Sequence, residues 1–364
     1  MSILISIIGI LLTIFFVIGT HEAAHFAVAR CLGVKVLRFS IGFGKTLLRW
    51  HDKKGTEYVL ALIPLGGYVK MLDETEGEVP INELGQAYNR QPFYKKFLIV
   101  LAGPISNIVC AFILYWLIFM IGFITIKPII GTVLPKSIAA EAGLKPQQTI
   151  THVDNKEINS WTSVFFRLMI HLGNQDHVKI NTTTFADHKN NEYVLDLSNW
   201  HMDELHPDPL TSLGMTPYQP TGKWPKEMLH KIQYGPLSAA AHAGEEIYDL
   251  TYFNFILFEK MFTGKLSLKS LGGPITIFES AGEAFNAGYL AFMGFLAFLS
   301  VSIGVINLLP IPGLDGGHLF IQAIEAIIRR PIPERYLLIL FKLGFIFILF
   351  VLFQALVNDI LRMY

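Results

Sequence analysis

The sequence predicts a polytopic α-helical membrane protein with about four transmembrane helices, a β-hairpin region at the membrane and one α+β domain outside it. Three observations lead there. Of the 364 residues, 52% carry hydrophobic side chains and only 16% are charged, and the mean hydropathy is positive, which is too apolar for a typical soluble globule. Four stretches, about 3–20, 97–126, 290–309 and 337–357, approach the roughly 20 apolar residues that a helix needs to cross a bilayer. Between the second and third, residues 127–216 carry the mixed strand and helix patterns of a soluble domain.

The first apolar run, ILISIIGILLTIFFVIG, lacks the basic start and small-residue cleavage site of a signal peptide and is expected to stay as a span. Basic residues set the orientation. Residues 30–96 carry 11 Lys and Arg against 7 Asp and Glu, and the last connection, 319–336, adds Arg329, Arg330 and Arg335. Residues 127–230 carry 9 basic against 11 acidic side chains. The first and last connections are therefore expected in the cytoplasm, with the long middle one outside. A net formal charge of zero gives no support for a nucleic-acid partner. The two cysteines, Cys31 and Cys110, both lie outside the middle segment, so no disulfide framework is implied there.

Directly after the first run comes HEAAH, residues 21–25. Residues four apart share a helix face, so His21 and His25 can offer imidazole nitrogens to one metal while Glu22 reaches a water beside it. A pair of surface histidines is the ordinary explanation of such a string in a soluble helix. At a membrane helix, ionisable groups are costly and usually line a functional cavity. Two histidines leave zinc in need of a third protein ligand.

The other concentration of unusual residues is NLLPIPGLDGGH, Asn307 to His318. Pro310 and Pro312 remove backbone donors and break a helix, and Gly313, Gly316 and Gly317 permit close approaches. Asp315 in this broken segment is the natural third ligand; the competing role is a cap for the helix that follows. If one span separates the two motifs, both fall in the same leaflet. Residues 236–262 could pass for a further span, but His242, Glu245, Glu246 and Asp249 crowd their first half, so an interfacial amphipathic helix is expected.

Val36 to Met71, containing VLRFSIGFG and EYVLALIPLGGYVKM, is expected to form short strands with tight turns at Gly42, Gly44, Gly66 and Gly67. Residues 127–216 run as strand, short helix, strand, longer helix and two more strands. The expected organisation is 1–126 for two spans with the cytoplasmic β region 36–71, then the outer domain 127–216. A linker with interfacial helices, 217–289, and two further spans, 290–364, complete the chain.

HEAAH, RFSIGFGKTLLRW with GTEYVLALIPLGGYVKML, LAGPISN, LGGPITI and NLLPIPGLDGGH follow one another in an order that resembles the site-2 proteases. These are intramembrane zinc metalloproteases, and the likeness is to their bacterial regulator-of-sigma-E branch. It extends over nearly the whole chain. The resemblance implies one Zn2+ per chain on His21, His25 and Asp315, with Glu22 as catalytic acid and base. It also implies a substrate backbone held near the metal by Asn307 in the Pro310 and Pro312 segment and by the glycine-bearing β region. The outer domain is similar to a PDZ domain, and would be periplasmic. Two departures stand out: relatives usually carry two such domains in tandem, and Gln147 and Gln148 replace the usual Gly-Asp of that pattern.

The implied activity is cleavage of transmembrane segments of single-pass proteins at the bacterial inner membrane, near the cytoplasmic leaflet. The implied partners are an anti-sigma factor, signal-peptide remnants and the lipid bilayer. The alternative is a non-catalytic scaffold or receptor that binds transmembrane helices. Such a protein would be expected to lose Glu22 or a ligand.

Overall fold

The computed structural model describes residues 2–174, 176–184, 189–203, 208–222 and 224–363. Among the described residues, four helices are long and apolar enough to cross a membrane: Leu4–Cys31, Phe93–Ile121, Tyr289–Leu308 and Arg335–Arg362. The chain divides into two compact units, one of Met1–Leu117, Ala243–Thr251 and Ile275–Leu352, the other of Ile118–His242, Tyr252–Pro274 and Phe353–Tyr364.

The first unit is helical with one β-hairpin. Helix α1 (Ser2–Cys31) runs without interruption through HEAAH. The polar residues end the apolar run but not the helix, because His, Glu and Ala all accept helical backbone geometry. After it, β1 (Val36–His51) and β2 (Glu57–Met71) pair antiparallel around a turn at Asp52–Thr56. This differs from the expected short strands. Gly42, Gly44 and Gly66 sit inside two long strands at positive φ, 91°, 83° and 153°, and the register shifts there, so that Phe39 faces both Val69 and Tyr58. Glycine bends these strands where a turn was expected, since a Cβ on Gly42 would stand 2.9 Å from the Ile63 carbonyl oxygen.

The hairpin is anchored to the end of α1. Ala29, Val34, Val36 and Ile99 form a buried cluster, and Phe26 meets Phe39 and Tyr58 edge-on at 5.5 and 5.7 Å. Ile99 comes from α2 (Phe93–Ile121), which carries Pro104 inside the helix.

Later in the chain come α6 (Pro236–Phe262), α7 (Pro274–Ala287), α8 (Tyr289–Leu308), α9 (Asp315–Ile328) and α10 (Glu334–Arg362). Small residues let these helices approach closely, which is how apolar helices pack when lipid removes the hydrophobic drive between them. A Cβ on Gly9 of α1 would lie 2.8 Å from the Ala281 carbonyl oxygen of α7, and one on Gly304 of α8 3.1 Å from the Pro104 carbonyl oxygen of α2. The large apolar side chains left exposed on α1 and α10, such as Phe15, Phe345 and Phe353, are suited to lipid.

The second unit is mainly β. Strands β3 (Phe123–Ile126) and β4 (Ile130–Val133) are followed by α3 (Ile138–Glu141), β5 (Gln148–Val153), β6 (Lys156–Glu157) and α4 (Trp161–His171). Then come β7 (His177–Thr184), β8 (Asn190–Asp196), α5 (Pro209–Leu213), β9 (Met215–Pro217) and β10 (Leu229–Ile232). One sheet has the order β6-β5-β7-β8, and β4 pairs with β9 and β3 with β10.

Val178 and Ile180 are buried while His177 and Lys179 are exposed, the alternation of a strand with one face on a core. That core gathers Ile150, Val153, Leu168, Leu195 and Leu213, and Phe253 from α6. The last turns of α6 thus spend apolar side chains on protein. The charge on this stretch is used as well: buried Lys260 donates from Nζ to the Leu172 carbonyl at the end of α4.

Candidate metal centre

Because α1 is continuous, His21 and His25 stack one turn apart on a single buried face, 7% and 8% exposed. His25 Nδ1 lies 2.7 Å from the Ile99 carbonyl oxygen of α2. A carbonyl only accepts, so Nδ1 carries the proton and Nε2 is left with a free lone pair. This is the backbone contact that orients a metal-binding imidazole.

The third side chain arrives from the first residue of α9. Asp315 follows the N-cap Leu314, and no side chain caps this helix, so capping does not occupy Asp315. Gly316 and Gly317 make its position possible. A Cβ on either would come within 2.2 Å and 2.4 Å of the Leu309 and Ile311 carbonyl oxygens.

Three atoms converge. His21 Nε2 lies 3.0 Å and His25 Nε2 3.4 Å from Asp315 Oδ2, and the two nitrogens are 3.2 Å apart. All three ligand atoms fall within 4.8 Å of one another, the one such group of His, Cys, Asp and Glu among the described residues. Zinc bonds of about 2.0–2.1 Å in a tetrahedron put neighbouring ligand atoms about 3.3 Å apart. The observed triangle has that size. Buried Asp315 Oδ2 has no hydrogen-bond partner among the described residues despite its short distances, so the atoms face a common point without satisfying each other. The donor set of two imidazoles and a carboxylate fits a zinc ion with one position left open.

Glu22, on the next position of α1, is half-buried beneath the hairpin. A Cβ on Gly67 of β2 would meet Glu22 Cγ at 2.8 Å and the Ser40 carbonyl oxygen at 2.8 Å. Of the four glycines singled out in the β region, Gly67 therefore borders Glu22, whereas Gly42, Gly44 and Gly66 shape the hairpin. Asn307 lies in the last turn of α8, half-buried and without a side-chain hydrogen bond among the described residues. Pro310 is exposed. Pro312 packs on α10, where a Cβ on Gly344 would overlap its carbonyl oxygen at 1.9 Å.

One residue at the centre was hidden in the sequence. Gly103 of α2 faces the histidines so closely that a Cβ there would stand 2.2 Å from His25 Nε2 and 2.6 Å from His21 Nε2. The available signal was a Gly-Pro pair inside a long apolar helix, a costly choice that asks for a reason. The Ile99 carbonyl gave no signal, since every residue has one.

Comparison with known proteins identifies the family. The model of peptidase family M50 matches residues 9–351. Protease RseP of Yersinia pestis is 32% identical over 451 aligned positions that cover 100% of both chains. The regulator of sigma-E protease RseP of Escherichia coli K12 is 32% identical over 98% of this chain and 97% of its own. A protein of Vibrio cholerae named as a zinc metalloprotease is 31% identical over 100% of both. The first alignment is 451 positions long against a chain of 364, so at least 87 of its positions have no counterpart here.

Proposed function

The chain belongs to peptidase family M50, the site-2 proteases, and is a membrane-embedded zinc metalloendopeptidase of the regulated intramembrane kind; from that premise we propose how its own residues carry the reaction. His21 Nε2, His25 Nε2 and Asp315 Oδ2 hold a single zinc ion. The observation that carries this reading is their convergence at 3.0–3.4 Å from two separate helices.

Zinc bound there supplies a Lewis acid that polarises the scissile carbonyl and makes a water acidic near neutral pH. Glu22 takes the proton from the attacking water and returns it to the leaving amine. Ile99 keeps the His25 ring in one tautomer through that cycle. The hairpin offers the substrate an extended edge near Gly67, where backbone hydrogen bonds replace those lost when a helical segment is unwound. Asn307, with Pro310 and Pro312 shaping its segment, holds substrate backbone on the other side.

The substrates are transmembrane segments of single-pass proteins. The names of the relatives point to sigma-E regulation, and so to an anti-sigma factor, with signal-peptide remnants as a second class. The enzyme sits in the bacterial inner membrane with its centre toward the cytoplasmic leaflet, which the basic residues of 30–96 support. Residues 127–216 form one periplasmic PDZ-like domain. The sheet β6-β5-β7-β8 with α4 supports this, and the unmatched alignment positions suit the loss of a second such domain. Gln147 keeps the left-handed backbone of the glycine it replaces, at φ 65°. Gln148 does the work of the missing aspartate by accepting the Lys145 N–H at 2.9 Å.

The test is zinc content beside activity. The purified chain should carry about one zinc and cut a single-span substrate whose outer domain has been trimmed, while His21→Ala and Asp315→Ala should lose both. Full zinc occupancy in either variant would remove that residue from the ligand set.

A further inference from the structure

The turn at the end of α9 leaves Arg329 and Arg330 beside the start of α2, around a shallow cavity of about 250 Å³ also lined by Phe93, Lys96, Glu325 and Pro331. Three of these side chains are cations, and none of the three makes an ion pair or hydrogen bond among the described residues. The one carboxylate, Glu325, is already engaged: its Oε1 accepts the Ile332 N–H at 2.9 Å. Three like charges gathered around one cavity repel one another unless an anion joins them.

The backbone adds an independent sign. Arg329 ends α9 at φ 57° and ψ 29°, the left-handed conformation where glycine is the usual residue. An arginine there accepts conformational strain, and its guanidinium is what the strain retains. The surroundings indicate from where the anion comes. Phe93 and Tyr94, 41% and 57% exposed, stand at the first turn of the spanning helix α2, as aromatic side chains do at a membrane interface. Ile327 and Ile328, 81% and 57% exposed, extend the apolar border on α9.

We propose that the cavity between the start of α2 and the end of α9 binds the phosphate of an anionic phospholipid headgroup, with Lys96, Arg329 and Arg330 as its cationic ligands. The acyl chains then lie along the exposed apolar face of α2, and the headgroup ties the entry of α2 to the exit of α9. Basic pockets at the ends of spanning helices are suited to this class of ligand. The site is separate from the zinc ligands in its residues and in its chemistry.

The test uses the full chain in nanodiscs, with lipid retention read by native mass spectrometry and thermal stability read alongside. Phosphatidylglycerol should be retained over phosphatidylcholine. Retention should fall about fivefold per cation removed and on the order of 100-fold in Lys96→Gln/Arg329→Gln/Arg330→Gln. Arg329→Gly guards against misfolding, because it relieves the left-handed strain while removing one cation; it should lose lipid without losing stability.

Lys136→Gln/Lys145→Gln/Lys156→Gln removes the same charge from exposed positions of the β-rich unit and should behave as the parent. Equal phosphatidylglycerol retention in parent and cavity variants would overturn the proposal. Stabilisation by inorganic phosphate alone that matches the lipid would overturn it in favour of a free-phosphate site.

Discussion

Gly103→Ala is the smallest change that should empty the metal centre. The new methyl group would stand 2.2 Å from His25 Nε2 and 2.6 Å from His21 Nε2, where carbon and nitrogen need about 3.4 Å. Either α2 retreats by more than 1 Å or both imidazoles turn away. His25 resists turning, because its Nδ1 is held by Ile99 on the same helix that carries the methyl group. Retreat would also disturb α8, since Gly304 packs closely on α2, where its Cβ would stand 3.1 Å from the Pro104 carbonyl oxygen.

Overpacking of this kind costs about 1–3 kcal/mol. The larger effect falls on the metal, because zinc bonds of about 2.0–2.1 Å require both nitrogens in place. Disturbing even an orienting contact costs on the order of 10–100-fold in metal affinity, so displacing two ligands should cost at least the upper end of that range. The assay is zinc per chain after equilibration in zinc-buffered solutions, with the melting temperature measured in parallel. Gly294→Ala is the control: nothing lies within 4 Å of its Cβ position, and alanine should stabilise that helix slightly. Zinc binding by Gly103→Ala at the parent affinity would refute the packing argument.

The remaining predictions concern separate parts of the chain. Gln147→Gly should raise the stability of the β-rich unit by about 1 kcal/mol in chemical denaturation, since Gln147 holds φ 65° at a glycine position. Gln148→Ala should lower it by about 1–2 kcal/mol, because it strips the hydrogen bonds to the Lys145 N–H and the Tyr193 hydroxyl, at 2.9 and 2.7 Å.

In the hairpin turn, partial burial pushes the Asp52 carboxyl up, but Arg30 and the N–H groups of Thr56 and Lys54 outweigh it and hold the pKa at about 2. A depressed carboxylate stabilises the fold above its unfolded pKa of about 3.9. That contribution should disappear as pH falls from about 4 to 2, and Asp52→Asn should flatten the stability profile in this window alone.

The spans were legible because lipid demands length and apolarity, two properties that any window of sequence displays. HEAAH was legible because four-residue spacing is a helical property. HEAAH ends the apolar run without ending α1, because intrahelical hydrogen bonds do not depend on side-chain polarity. Asp315 was open between ligand and cap in the sequence, and its approach to His21 Nε2, at 3.0 Å, depends on how α9 meets α1, which no local pattern displays.

The glycines of the hairpin were expected at turns, since φ above zero serves both a turn and a bend, and strand pairing decides between the two. Gly103 was the least legible. Its significance lies in the absence of a side chain next to imidazoles 78 and 82 residues earlier in the chain, a fact of tertiary packing with no local pattern. The second half of α6 shows the same limit, since its apolar face serves the core of a β-rich unit as well as it would a membrane surface.

The most direct test of the central claim is Glu22→Gln, made on the purified full chain and compared with the parent on the same trimmed single-span substrate, with zinc quantified in both. The account predicts that the variant keeps about one zinc per chain and binds the substrate but does not cut it, since the amide preserves shape and loses the proton-accepting carboxylate. Cleavage by the variant at the parent rate, with zinc retained, would contradict the role given to Glu22.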